Sequence, residues 1–144
     1  MDLVVDANVL FAALVGRDKT QELFFSNKIN LIAPLKLIEE FEKNKEEIAK
    51  WGKVSVSELM YAFDIIKEKI KLFSTNNISS EIRSKAEKLS PHEKDVPYFA
   101  LALQLGAAIW SREKAFKKQD EIKIYSTQEL ADMFLVDNSE EKVD

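Results

Sequence analysis

The fold of this 144-residue chain is decided by the stretch Leu3-Val4-Val5-Asp6-Ala7-Asn8-Val9-Leu10-Phe11-Ala12-Ala13-Leu14. Its first three residues form a short apolar run that is typical of a strand buried on both faces. The mostly apolar segment 9–14 then predicts a helix, which we expect Gly16 to end. A buried strand followed at once by a helix is typical of a parallel α/β sheet. The charged Asp6 lies at the junction of the two elements.

The alternation of strands and helices continues along the chain. Further strands are predicted at 29–33, 71–73, 107–110 and 122–125. Helices are predicted to begin at Asp18, Pro34, Ser55 or Ser57, Ser80, between Pro91 and Pro97, and at Thr127, with Gly52 and Gly106 ending two of them. We therefore expect one α/β domain over 1–135, built as a three-layer α/β/α sandwich around a parallel sheet of four to five strands. The polar, acidic segment 136–144 predicts a disordered tail.

Composition limits the chemistry that the chain can perform. Apolar residues make up 46% of it, which is enough for a buried core. There is no cysteine, one histidine and only three glycines. These counts exclude thiolate and multi-histidine metal sites, make a Ser/His/Asp hydrolase an unfavourable hypothesis, and exclude a glycine-rich phosphate loop. Carboxylates remain, and their oxygens suit hard cations such as Mg²⁺ and Mn²⁺.

The charge and hydropathy patterns restrict the location and the partners. A net charge of −4 argues against coating of nucleic acid through bulk positive charge. No apolar run approaches the length needed to span a bilayer, and no secretion signal is recognisable. We therefore expect a cytoplasmic protein that does not associate with membranes.

Four carboxylates fall at strand ends or adjoining helix starts of the predicted sheet. They are Asp6, Glu40, Asp95 and Glu113. Taken singly, each has an ordinary interpretation, since Asp6 and Asp95 suit helix N-caps and the two glutamates suit solvated surfaces. Ligands of parallel sheets bind at the carboxyl ends of the strands, and clustered like charges need cations to neutralise them. Together the four acids therefore suggest a metal site with phosphoryl chemistry.

Four segments resemble, in order, the motifs of the PIN-domain ribonuclease family. They are 3–14, 37–41, 94–103 and 108–116, and the third is the most specific match. The resemblance implies an α/β sandwich that uses Mg²⁺ or Mn²⁺ to cleave RNA. It also implies that Asp6, Glu40, Asp95 and Glu113 are the catalytic, metal-binding acids, and that Asn8 and Ser111 are accessory polar residues.

Partners also follow from the resemblance. Many bacterial and archaeal family members are toxins of toxin–antitoxin pairs, and many form dimers or larger assemblies. We therefore expect an RNA substrate, an antitoxin protein and a homodimer or higher homo-oligomer, with the region 55–70 as a candidate contact surface. Arg112 and Lys114 are the candidate substrate-binding residues; the other cations that could flank the site are Arg17, Lys19, Lys36, Lys117 and Lys118.

Two departures from the family pattern lie in the fourth motif. Glu113 stands where Asp is usual, and Arg112 stands where a small residue is usual. They leave open a catalytically weak or inactive PIN-like module that binds RNA or protein. Two other α/β classes with an acid after the first strand fit less well. A haloacid-dehalogenase-type phosphatase needs a second Asp where the chain has Asn8, and a receiver domain needs paired acids near the first strand.

Two other residues have ordinary interpretations. His92, beside Pro91, is predicted to be a surface residue. Trp110 continues a buried strand, so we expect it in the core rather than as a platform for stacking RNA bases.

Overall fold

The computed structural model describes residues 1–135, and the tail predicted for 136–144 lies outside the described residues. The strands are β1 (Asp2–Val5), β2 (Asn30–Pro34), β3 (Ile70–Phe73), β4 (Ala108–Trp110) and β5 (Ile124–Tyr125). The α-helices are α1 (Ala7–Leu14), α2 (Thr20–Phe24), α3 (Lys36–Gly52), α4 (Val56–Ile66), α5 (Ser80–Leu89), α6 (Val96–Leu105) and α7 (Thr127–Phe134). No helix within 1–135 combines the length and apolar character needed to cross a bilayer.

The strands form one parallel sheet in the order β3-β2-β1-β4-β5. The chain proceeds from β1 outward to β2 and β3, and then crosses back to place β4 on the other side of β1. Right-handed crossovers in opposite directions put the connecting helices on opposite faces. Accordingly, α6 packs on β1, β2 and β4 with α5 outside it, whereas α1 packs with α2, α3 and α4. The predicted three-layer α/β/α sandwich around a parallel sheet of four to five strands is confirmed, and the sheet has five strands.

The central strands are fully buried, as their continuous apolar runs predict. Leu3 pairs with Leu31 of β2 on one side and with Ala108 of β4 on the other. Trp110 is a core residue, as expected, and its indole Nε1 donates a hydrogen bond of 3.1 Å to Thr127 Oγ1. This packing holds the carboxyl ends of β1 and β4 side by side.

Three predicted helix starts are displaced by one or two residues. The N-cap of α5 is Ser79 rather than Ser80, since the Ser79 hydroxyl accepts a hydrogen bond from the Ile82 amide. The N-cap of α7 is Ser126 rather than Thr127, and Ser126 forms a capping box with Glu129. Pro34 is the last residue of β2, and α3 begins at Lys36. The hydroxyl that caps is the one whose backbone is extended just before the first turn.

Two further boundaries have backbone causes. Asp18 does not cap α2, because its backbone is left-handed with φ of 52° and Lys19 occupies the cap position. Gly52 is the last residue of α3, as predicted, and the left-handed Lys53 that follows it is the C-cap. A Cβ on Gly52 would lie 2.3 Å from Val15 Cγ1, so glycine is required there for the close approach of α3 to the chain after α1. Ser55, one of the two serines considered, caps α4.

Candidate active site

Three of the four predicted acids, Asp6, Asp95 and Glu113, come together at the carboxyl ends of β1 and β4. Glu40, on α3, is linked to this edge by the hydrogen bond from Tyr98. The chain leaves β1 toward β2 on one side, and the later strand β4 lies on the other side. Neighbouring strands whose connections run in opposite directions create a crevice at their carboxyl ends, where α/β proteins bind ligands. Asp6 follows β1 directly, and Glu113 lies three residues beyond β4. The topology therefore explains why residues far apart in sequence share one crevice.

Asp6 is the buried centre of this crevice, with 4% of its surface exposed. Its Oδ1 accepts a hydrogen bond of 2.6 Å from the Asn8 amide, so Asp6 caps α1 as well as facing the crevice. Its Oδ2 accepts a hydrogen bond of 2.6 Å from the Ser111 hydroxyl. Burial raises the pKa of Asp6 to about 6, although the hydrogen bonds from Ser111 and Asn8 act in the opposite direction.

The segment after β4 is tied to Asp6 through the two accessory residues. Ser111 Oγ donates to Asp6 and accepts a hydrogen bond of 3.0 Å from the Glu113 amide. The Asn8 side-chain amide donates to Glu113 Oε1 at 3.2 Å. Asn8 and Ser111 therefore hold Glu113 beside Asp6, and the Glu113 charge contributes to the raised pKa of Asp6.

Glu40 is held by Tyr98, a residue that the sequence analysis did not include in the site. The buried Tyr98 hydroxyl donates a hydrogen bond of 3.0 Å to Glu40 Oε1. Burial raises the pKa of Glu40, while the hydrogen bond from Tyr98 and the charges of Lys36 and Lys94 oppose the change. Burial and the nearby Glu40 charge also raise the pKa of Tyr98, so the phenol remains a hydrogen-bond donor.

Asp95 is the residue directly before α6, and 7% of its surface is exposed. Its side chain makes no capping hydrogen bond, so the cap role suggested by the sequence is not observed. Its Oδ2 is buried and has no hydrogen-bond partner among the described residues. The pKa of Asp95 is raised to about 6, mainly by burial and then by the charge of Glu113, with a smaller contribution from Glu40. A carboxylate oxygen of Asp95 lies within 4.8 Å of one of Glu113, so Asp95 stands beside that acid.

The predicted basic residues contribute unequally to the crevice. Arg112 donates a hydrogen bond of 3.2 Å to Asp18, and Lys114 is exposed in the turn after Glu113. The Lys36 ammonium donates a hydrogen bond of 3.0 Å to the carbonyl of Lys94. The positive charges of Lys36 and Lys94 both act to lower the pKa of Glu40. Lys94, which the sequence analysis did not single out, therefore belongs with Lys36 beside the acids. The remaining cations lie as follows: Arg17 against Trp51, Lys19 near Glu22, Lys117 paired with Glu129, and Lys118 exposed.

His92 is exposed, as predicted, but it is not remote from the site. One of its ring nitrogens and one carboxylate oxygen each from Asp95 and Glu113 lie within 4.8 Å of one another. Sequence spacing offered a signal for this proximity, because His92 and Asp95 are three residues apart. His92 is the residue before a single 3₁₀ turn, Glu93–Asp95, and Asp95 is the last residue of that turn.

Comparison with known proteins identifies the family. The sequence model described as the PIN domain matches residues 4–131. The chain belongs to the PIN-domain family. A chain in the crystal structure of VapBC2 from Rickettsia felis, bound to a DNA fragment from the VapBC2 promoter, has a similar structure with a TM-score of 0.67. Its sequence is 12% identical, and the match covers 88% of this chain and 98% of that one, so it supports the PIN fold alone. No curated protein matches the sequence.

The acids of this PIN domain form a donor set that fits a divalent cation. Carboxylate oxygens are the ligands that Mg²⁺ and related hard cations prefer. The unpartnered Asp95 Oδ2 is a buried acceptor for which the described protein groups provide no donor. A bound cation would satisfy that oxygen and would favour the ionised forms of Asp6 and Asp95, whose pKa values are raised by burial and then by the charge of Glu113.

Proposed function

We propose that this PIN-domain protein is an endoribonuclease that uses Mg²⁺ or Mn²⁺ to hydrolyse RNA phosphodiester bonds. The observation that carries the proposal is the convergence of Asp6, Asp95 and Glu113 in one crevice. Within residues 1–135, the buried Asp95 Oδ2 has no hydrogen-bond partner. Glu40 adds a fourth carboxylate from α3. Family membership supports nuclease chemistry, and the donor set supports a metal-dependent form of it.

In this mechanism the protein holds its acids in fixed positions. Asp6, Glu40, Asp95 and Glu113 would bind the metal, while Ser111 and Asn8 orient the carboxylates of Asp6 and Glu113. A divalent cation bound there would activate a water for attack on the scissile phosphate and stabilise the leaving oxygen. Lys36 and Lys94 lie where they can attract the RNA backbone toward the crevice, with Arg112 and Lys114 as further substrate contacts.

The test is incubation of the purified full chain with single-stranded and hairpin RNA in Mg²⁺, Mn²⁺ or EDTA, followed by product sizing. Internal cleavage that depends on added metal supports the proposal, and DNA of the same sequence serves as the control substrate. RNA binding without cleavage in either metal would instead favour the inactive module, which the unusual Glu113 and Arg112 leave open.

We further propose that the protein is the toxin of a cytoplasmic toxin–antitoxin pair. The fold shared with VapBC2 supports this role, as does membership of the PIN-domain family. The test measures the growth of cells in which the chain is expressed either alone or together with the product of its neighbouring reading frame. Growth arrest that is relieved by the second product would support an antitoxin partner. Normal growth of cells in which the chain is expressed and active as a nuclease would contradict the toxin role.

Tyr98→Phe is predicted to lower the cleavage rate, by up to about tenfold at the acidic end of the pH range. The variant removes a hydrogen bond to a charged group, worth roughly 1.5 kcal/mol, and so raises the pKa of Glu40 further. The defect should shrink as the pH rises, because a higher pH restores the ionised Glu40. Initial rates of cleavage by the parent and the variant between pH 6 and 9 give the size of the defect at each pH. Tyr125→Phe, on β5, is the matched control, and an equal defect at every pH would contradict a role through Glu40.

Tyr61→Glu is predicted to convert a homodimer into a monomer. Helix α4 buries Leu59, Phe63 and Ile66, so its inner stripe is core, yet Met60, Tyr61 and Ile65 remain exposed. Tyr61 is 71% exposed, and a cluster of apolar side chains on one helix is typical of an interface. We propose that a second copy covers this surface. Light scattering with size exclusion would show half the mass for the variant, and a parent that is already monomeric would contradict the proposal.

A further inference from the structure

The side chain of His92 completes a three-residue cluster at the rim of the crevice. A ring nitrogen of His92 and carboxylate oxygens of Asp95 and Glu113 all lie within 4.8 Å of one another. The three residues range from exposed through half-buried to buried, so the cluster extends from the buried acids to solvent. The catalytic mechanism proposed above assigns no role to this histidine.

The spacing of the cluster fits an ion rather than direct bonding between the side chains. Divalent cations hold oxygen and nitrogen ligands at about 2.0 to 2.6 Å, so two ligands of one ion lie at most about 5 Å apart. Asp95 Oδ2 is buried without a hydrogen-bond partner among residues 1–135, so His92 does not satisfy it. A buried acceptor without a donor is costly, and a cation would remove that cost.

The backbone fixes His92 at this distance from Asp95. The Asp95 amide donates a hydrogen bond of 3.0 Å to the His92 carbonyl, which closes the 3₁₀ turn between them. Glu113 is fixed independently by Ser111 and Asn8 from the far side of the crevice. Two separately supported segments therefore present the nitrogen and the oxygens toward each other.

We propose that His92 supplies an imidazole nitrogen to a divalent cation held by Asp95 and Glu113. This inference rests on the metal site of the proposed function and defines its selectivity. Imidazole is a good ligand for first-row transition metals, whereas Mg²⁺ prefers an all-oxygen set. The His92 nitrogen therefore biases the site toward Mn²⁺ and later dications over Mg²⁺.

The test uses pulsed electron paramagnetic resonance on the tag-free full chain loaded with Mn²⁺. The chain contains one histidine, so an imidazole nitrogen coupled to the bound metal comes from His92. We expect a ¹⁴N coupling that changes to a ¹⁵N pattern when the protein contains [¹⁵N]histidine. In His92→Gln the coupling should disappear and the affinity for Mn²⁺ should fall about tenfold or more, while affinity for Mg²⁺ falls less than about threefold. Glu93→Gln, at the neighbouring exposed position, is the matched control and should retain the coupling.

The outcomes separate this inference from the function on which it rests. Mn²⁺ that binds the parent, is lost in Asp95→Asn and shows no nitrogen coupling would overturn the role of His92 and leave the metal-dependent nuclease intact. A parent that binds no Mn²⁺ would overturn both. The isotope comparison is made on the parent chain, so it does not depend on the folding of any variant.

Discussion

Replacing Asp6 or Asp95 with Asn is predicted to lower the rate of the proposed metal-dependent RNA cleavage by about a thousandfold. Each substitution removes a negative ligand from a site where several kcal/mol of transition-state stabilisation depends on the bound charge. Asp6 accepts hydrogen bonds from the Asn8 amide in α1 and from the Ser111 hydroxyl after β4. Asp95 contributes the buried Oδ2 that has no partner among the described residues. The measurement is the single-turnover rate on a labelled RNA in saturating Mn²⁺.

Both variants are expected to keep the fold, so the loss reports on chemistry. An Asn at position 6 can still accept the hydrogen bond from the Asn8 amide and can donate to Ser111 Oγ. Asp2→Asn is the matched control, because Asp2 lies at the other end of β1 and its bond from Asn30 can be retained. Cleavage that survives both substitutions would end the catalytic assignment.

The location of the site could be predicted because it depends on strand ends. Asp6 and Glu113 follow buried apolar strands, and parallel strands bring their carboxyl ends to one edge of the sheet. The strand order could not be read from the sequence, since it depends on which strands pair across long separations. Cap positions were displaced for a local reason, because adjacent residues such as Ser79 and Ser80 differ in backbone geometry rather than in side-chain chemistry.

The residues that the sequence analysis missed act through contacts between distant segments. Tyr98 lies one turn beyond Asp95 on α6, so spacing placed it near the acids, but its bond to Glu40 crosses 58 positions of the chain. Arg112 was assigned to the substrate from its place beside Glu113, whereas its guanidinium pairs with Asp18, 94 positions away. Its contact with RNA stays a prediction, as does the domain boundary at 135.

The metal-free protein is predicted to lose stability as the pH rises from about 4 to 7. Asp6 and Asp95 have pKa values of about 6 in the folded chain, against 3.8 for an unperturbed Asp. Between these values the folded state binds more protons than the unfolded state, so its free energy of unfolding falls with rising pH. A pKa difference of this size corresponds to roughly 2 to 3 kcal/mol for each buried group.

Comparison with Asp95→Asn isolates the contribution of one carboxyl. The variant lacks the titrating group, so the decline between pH 4 and 7 should be smaller than that of the parent by roughly 2 to 3 kcal/mol. The readout is the slope rather than the absolute stability, because an amide without a partner would cost a similar amount at every pH. Urea unfolding in EDTA at several pH values gives both slopes, and Asp2→Asn should follow the parent.

Added Mn²⁺ should stabilise the parent more than it stabilises Asp95→Asn at neutral pH. A cation at one hundred times its dissociation constant stabilises the folded parent by about 2.7 kcal/mol, and it binds best when the acids are ionised. The ionised acids, which burial and mutual repulsion destabilise in the metal-free crevice, are therefore the groups expected to bind the metal. Asp95→Asn, with one charge fewer, should gain little. Equal slopes in EDTA would show that burial does not destabilise the ionised Asp95. Equal gains with Mn²⁺ would show that Asp95 is not a ligand.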